Sequence, residues 1–177
     1  MIMRPGQQLL LPANPLFIWF TLLGALLLNM LLTMGLLGRA AWVPDLLAVV
    51  LVFWSVHQPL RIGVGVAFFF GLAVDIHQGA LLGQHALAYT VLGFLAVAMR
   101  RRLLWFPVPT QAVQVLPLLV AMQLLELLVR MVAGGTWPGW LVLLAPVLSA
   151  ALWPVVSVLL LAPQRRAPNQ DDNRPLC

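Results

Sequence analysis

The sequence predicts an all-α integral membrane bundle of six transmembrane helices. Three observations carry that expectation. Of 177 residues, 62% are hydrophobic and only 8% are charged, whereas a soluble domain carries about a quarter charged residues. The apolar residues fall into runs that approach the ~20 helical residues needed to cross ~30 Å of hydrocarbon. The arginines, which supply all ten cations of the chain, lie between those runs rather than within them.

The segments run Pro15–Leu37, Trp42–His57, Ile62–Val74, Ala80–Met99, Val113–Val129 and Gly139–Ala162. The first and last are long enough to span outright, and the first reads as an uncleaved anchor, with no small-residue cleavage site after it. The second and third are short and joined by His57-Gln58-Pro59-Leu60-Arg61, a hairpin turn. Leu46–Val56 and Ile62–Val74 are apolar on every face, which favours spanning over a soluble hairpin, with Arg61 snorkelling to the surface. Residues 1–162 then form a single transmembrane domain. Residues 163–177, polar and interrupted by proline, form a disordered cytoplasmic tail.

Six spans place both termini on one side. That side holds Arg4, Arg61, Arg100, Arg101, Arg102, Arg165, Arg166 and Arg174, against Arg39 and Arg130 on the other. Arginine marks the cytoplasmic side, so the termini are expected in the cytoplasm. The basic balance is thereby assigned to topology and to anionic membrane lipid at Arg100–Arg102, with no nucleic acid as partner. Trp42, Trp137 and Trp140 fall at the outer surface and Trp19, Trp54 and Trp105 near the inner one, as interfacial rings do; Trp153 lies deeper. Cys177 is the lone cysteine, so no intrachain disulfide framework exists.

The polar residues inside this apolar chain narrow its chemistry. Asp45 follows Pro44 at the start of the second segment, where its charge suits a helix N-terminus, as a helix-start device or as a contact. Asp75 ends the third segment, where its own helix dipole is unfavourable, so something else must hold it. Gly63, Ala67, Gly71 and Asp75 recur every four residues along one helix face, a small-residue row that lets membrane helices approach closely. Gly71→Leu is expected to weaken that seam, and Asp75→Asn to impair function while the protein still accumulates. In the fifth segment Gln123, Glu126 and Arg130 form a polar row, with Glu126 and Arg130 spaced for a local ion pair. Asn29 is expected to hydrogen-bond another helix.

Several function classes find no support. Asp75, His77 and His85 match no dense metal-ligand spacing, His85 has no obvious mate, and His57 and His77 sit at span ends, so no metal, heme or other cofactor is expected. Substitution of either His77 or His85 should be mild. No nucleophile constellation, phosphate loop or HExxH motif is present, and the two aspartates lack the flanks of an intramembrane protease. An enzyme is not expected.

The stretch from residue 43 to 89 resembles the MreD family of bacterial rod-shape-determining membrane proteins. The features that carry the resemblance are Pro44-Asp45 opening a span, the Trp54…Pro59…Arg61 turn, and Gly71-Leu72-x-x-Asp75 followed by Leu82-Gly83. Trp153-Pro154 adds a further match near the end. Val43 stands where many members carry a basic residue. The resemblance implies a non-enzymatic inner-membrane scaffold of the cell-elongation machinery, acting in peptidoglycan synthesis with MreC, MreB, the RodA glycosyltransferase and its transpeptidase partner. It implies partner or structural contacts at Pro44, Asp45, Gly71, Asp75 and Gly83. It also implies a fold similar to the substrate-binding subunits of energy-coupling-factor transporters. The alternative function is accordingly a small-solute (vitamin) uptake subunit, disfavoured because Gly38–Trp42 is too short an outer connection to form a lid.

Overall fold

The computed structural model describes residues 14–36 and 42–164. Within them the chain forms six α-helices and no strand: α1 Pro15–Leu31, α2 Leu46–His57, α3 Val64–Gln78, α4 Gln84–Trp105, α5 Val108–Val132 and α6 Leu144–Leu161. A π-helical turn, Leu32–Leu36, prolongs α1, and short 3₁₀ turns, Trp140–Leu143 and Ala162–Gln164, flank α6. Arg4, Arg39, Arg165, Arg166, Arg174, Cys177 and the polar tail lie outside the described residues apart from Pro163 and Gln164.

Each start has a local cause. Asn14 caps α1 by accepting the Leu16 N–H, with Pro15 in the first turn. Asp45 is the N-cap of α2 rather than its first helical residue, and its side chain accepts the Ala48 N–H at 3.1 Å. α3 stops at Gly79, whose φ of +60° is left-handed, and α4 starts after Gly83 at φ +104°. Several helices outrun their apolar segments. α3 continues past Val74 to Gln78, so Asp75 and His77 belong to its last turns. α4 continues past Met99, so Arg100–Arg102 lie on the helix. A hydropathy run stops at the first charge, whereas a helix entering the interface need not.

Among the described residues, three stretches are long and apolar enough to cross a membrane: Pro15–Met34, Val108–Val132 and Trp140–Gln164. α4 has sufficient length, about 33 Å at ~1.5 Å per residue, but carries the arginine triplet. α2 and α3 span only about 18 and 22 Å by the same rise. Their apolar character has different origins. In α2 every residue from Leu47 to Val56 is buried, enclosed by α1, α4 and α6; it is hydrophobic all round because protein surrounds it. α3 is packed chiefly on α4 and turns Phe68, Phe69 and Ile76 outward.

Much of the outer surface is apolar. Leu16, Phe20, Leu27 and Leu31 on α1 and Val155, Val158 and Leu159 on α6 are all more than half exposed. Such continuous apolar flanks cannot be left facing water. Trp54 departs from its interfacial assignment: it is fully buried and its Nε1 donates to Thr21 Oγ1 at 2.9 Å. Trp153 is also fully buried, its Nε1 donating to Gln111 Oε1 at 3.3 Å.

Candidate functional site

The polar side chains gather at one end of the bundle. The end of α1, the start of α2, the α3–α4 turn, the end of α5 and the start of α6 meet there around a cavity of about 930 Å³. Arg61, in the α2–α3 connection, and Arg100–Arg102, at the end of α4, belong to the opposite, arginine-rich end. Three carboxylates organise the arginine-poor end, each in a different way.

Asp75 is 1% exposed and caps a helix that is not its own. Oδ2 accepts the Gly83 N–H at 2.9 Å and the Ala86 N–H at 3.3 Å. Oδ1 accepts the His85 N–H at 2.9 Å and lies 2.8 Å from His85 Nδ1. A carboxylate only accepts, so that imidazole nitrogen carries its proton. Gly83 itself supplies no side-chain cap, and the first N–H groups of any helix lack intrahelical partners. Asp75 satisfies those of Gly83, His85 and Ala86, while the Gln84 N–H donates to the Leu81 carbonyl, and the carboxylate charge lies at the positive end of the α4 dipole. That is what holds the carboxylate which its own helix disfavours.

Gly71 makes this geometry possible. A Cβ there would collide with the Ala86 Cα and lie 2.6 Å from both the Ala86 nitrogen and the His85 carbonyl oxygen. Backbone therefore meets backbone one helical turn below Asp75. Ala67, buried, continues the seam two turns lower, its Cβ at 3.4 Å from where a Cβ on Gly93 would sit. Gly63 drops out of the row: it is the N-cap of α3, and a Cβ there would meet only the Pro59 oxygen at 4.0 Å. The contact is intramolecular, between α3 and α4.

Asp45 links four helices. Besides capping α2, Oδ1 accepts Asn29 Nδ2 from α1 at 3.3 Å and Oδ2 accepts the Tyr89 hydroxyl from α4. Its backbone N–H donates to Ser149 Oγ on α6 at 2.9 Å. The helix-start and contact roles are thus combined, and Asn29 finds its interhelical partner here. Pro44 lies half-buried immediately before this knot. Tyr89 and Ser149 were not singled out in the sequence. Tyr89 had a usable signal, since it is the only tyrosine and stands one turn beyond His85 on the same face.

Glu126 departs from its expected ion pair. Its Oε2 lies 4.0 Å from His85 Nε2 and 3.5 Å from Gln123 Nε2, and its Oε1 has no hydrogen-bond partner among the described residues, although the residue is only 7% exposed. Arg130, exposed, sits on the cavity rim. A buried acceptor without a donor costs about 1–3 kcal/mol. His85 therefore has two carboxylate neighbours, contrary to the expectation that it lacks a mate. His77 is half-buried on the cavity wall, while His57, at the other end, stacks on Phe53 and has Nδ1 2.8 Å from its carbonyl. Among the described residues no three His, Cys, Asp or Glu side chains form a group that could hold a metal ion.

Comparison with known proteins adds the rest. The family model described as rod shape-determining protein MreD matches residues 13–162. A rod shape-determining protein MreD from Haemophilus influenzae is 28% identical over 148 residues, covering 80% of this chain and 89% of that protein. No solved structure matches, so the likeness to energy-coupling-factor subunits stays an expectation from the sequence. With the match covering all six helices whole, the chain belongs to the MreD family of rod shape-determining proteins.

Proposed function

We propose that this protein is a non-enzymatic scaffold in the bacterial inner membrane, holding part of the cell-elongation machinery together during rod-shaped growth. In this reading it works in one complex with MreC, MreB, RodA and the RodA transpeptidase partner, in peptidoglycan synthesis. The observation that carries the reading is the family match across residues 13–162. The site is consistent with it. Asp45 and Asp75 spend their acceptors on helix ends and on side chains of neighbouring helices, an arrangement that fixes shape rather than activating a nucleophile. The lipid-facing apolar flanks of α1 and α6 leave broad surfaces for partner helices. The arginine excess at one end supports cytoplasmic termini in this reading.

Depletion in a rod-shaped host tests the proposal. Cells should round and widen, and crosslinking of an affinity-tagged copy in native membranes should recover MreC. A reporter fused after Cys177 should behave as cytoplasmic. Recovery of an ATPase and a coupling subunit instead, with shape restored by a supplied vitamin, would replace the scaffold by the uptake subunit.

A further inference from the structure

We propose that the cavity at the arginine-poor end is a binding site for a small water-borne molecule carrying an ammonium group, which seats against Glu126. The site is built rather than incidental. Its volume of about 930 Å³ falls within the ~300–1,000 Å³ of small-molecule sites. All six helices or their immediate flanks contribute to the wall, which combines Asn29, Asp45, His85 and Glu126 with apolar Leu127 and Ala145.

Glu126 decides the chemistry. Among the carboxylates of this end, Asp45 and Asp75 have both oxygens engaged by donors. Glu126 has one long hydrogen bond, from Gln123 at 3.5 Å, and an oxygen with no partner among the described residues. The terminal carboxylate torsion is soft, so either oxygen can turn to a guest in the cavity it lines. The guest must donate. Among the described residues, Asp45, Asp75 and Glu126 share this interior with His85, while His77 and Arg130 stand at the wall and rim, a balance that favours a cationic donor over an anion beside Glu126.

Arg130 supplies the direction of entry. It lies one turn beyond Glu126 toward the end of α5, about 6 Å along the axis, and is exposed at the rim. A guest with an anionic group behind its ammonium therefore fits with the ammonium innermost. A membrane aminophospholipid presents the reverse order, with phosphate deeper than ammonium. The geometry favours a solute arriving from water.

The test uses three solutes with one aromatic body: phenethylamine, phenylalanine and phenylacetate. The full chain, in phosphatidylcholine nanodiscs, is titrated with each while tryptophan fluorescence and thermal unfolding are read; Trp42 lines the cavity. Phenethylamine and phenylalanine should give saturable responses at millimolar concentrations and phenylacetate none. Glu126→Gln should weaken both amines at least tenfold. Arg130→Gln should reduce phenylalanine to the level of phenethylamine and leave phenethylamine unchanged. Ala145→Leu, which narrows the cavity without touching a charge, should weaken both and stands in if Glu126→Gln does not fold. A second set of discs contains phosphatidylethanolamine. Stabilisation by that lipid in the wild type, lost in Glu126→Gln and blocking phenethylamine, would keep the ammonium site but overturn the water-borne guest. No saturable amine response in either disc, or one unchanged in both Glu126→Gln and Ala145→Leu, overturns the site.

Discussion

Asp75→Asn changes one atom and should destabilise the protein, not merely its activity. The carboxylate accepts three backbone N–H groups at the start of α4, from Gly83, His85 and Ala86, and faces His85 Nδ1. An amide keeps one oxygen and turns an NH₂ toward whatever the other oxygen served. If the NH₂ replaces Oδ2, it confronts the Gly83 and Ala86 N–H groups. If it replaces Oδ1, a change of tautomer lets His85 Nδ1 accept, yet the His85 N–H is still left facing a donor. At least one buried N–H is orphaned either way, at about 1–3 kcal/mol, and the loss of charge at a partly buried helix N-terminus adds about 1 kcal/mol, for a total of about 2–4 kcal/mol. Unfolding of the purified protein in mixed detergent micelles measures the loss, and hydrogen exchange locates it. The Gly83, His85 and Ala86 amides should exchange faster than those in the middle of α4. Unchanged unfolding together with unchanged protection at those three amides would refute the capping role. The sequence expectation, impaired function while the protein still accumulates, is thereby sharpened to reduced accumulation.

Gly71→Ala should lower membrane levels and unfolding resistance by about 1–3 kcal/mol, the usual cost of overpacking, because its Cβ meets backbone that no rotamer change can move aside. Gly65→Ala, with nothing within 4 Å of the added Cβ, is the matched control, and equal behaviour of the two variants would show that α3 and α4 do not approach this closely; Gly71→Leu should be worse than either. His85→Ala should destabilise the chain measurably in the same assay, since it strips Asp75 of one donor and Glu126 of its nearest basic neighbour, whereas His77→Ala, on the half-exposed cavity wall, should stay within about 0.5 kcal/mol of wild type. Equal effects of the two histidine substitutions would count against the His85 pairing.

What was legible in the sequence, and what was not, divides along physical lines. Helix number and connectivity follow from apolar runs separated by turn residues, and the four-residue row ending at Asp75 shows on inspection because helical periodicity is local. The partner of Asp75 is not local. Its donors stand eight to eleven residues downstream on the next helix, beyond the three-residue reach of an ordinary capping box. Glu126 misleads for the converse reason: a suitable cation stands four residues away on its own helix, and only the fold brings His85 within 4.0 Å from another. α2 shows the deepest ambiguity. A helix facing lipid and a helix enclosed by protein are equally hydrophobic, so composition alone could not tell the ten buried residues Leu47–Val56 from a lipid-exposed span. In such a chain apolar residues say little about which helices touch. That information sits in the few polar groups that must find one another, and Asp45, bonded to Asn29 on α1, Tyr89 on α4 and Ser149 on α6, fixes the order of four helices around itself.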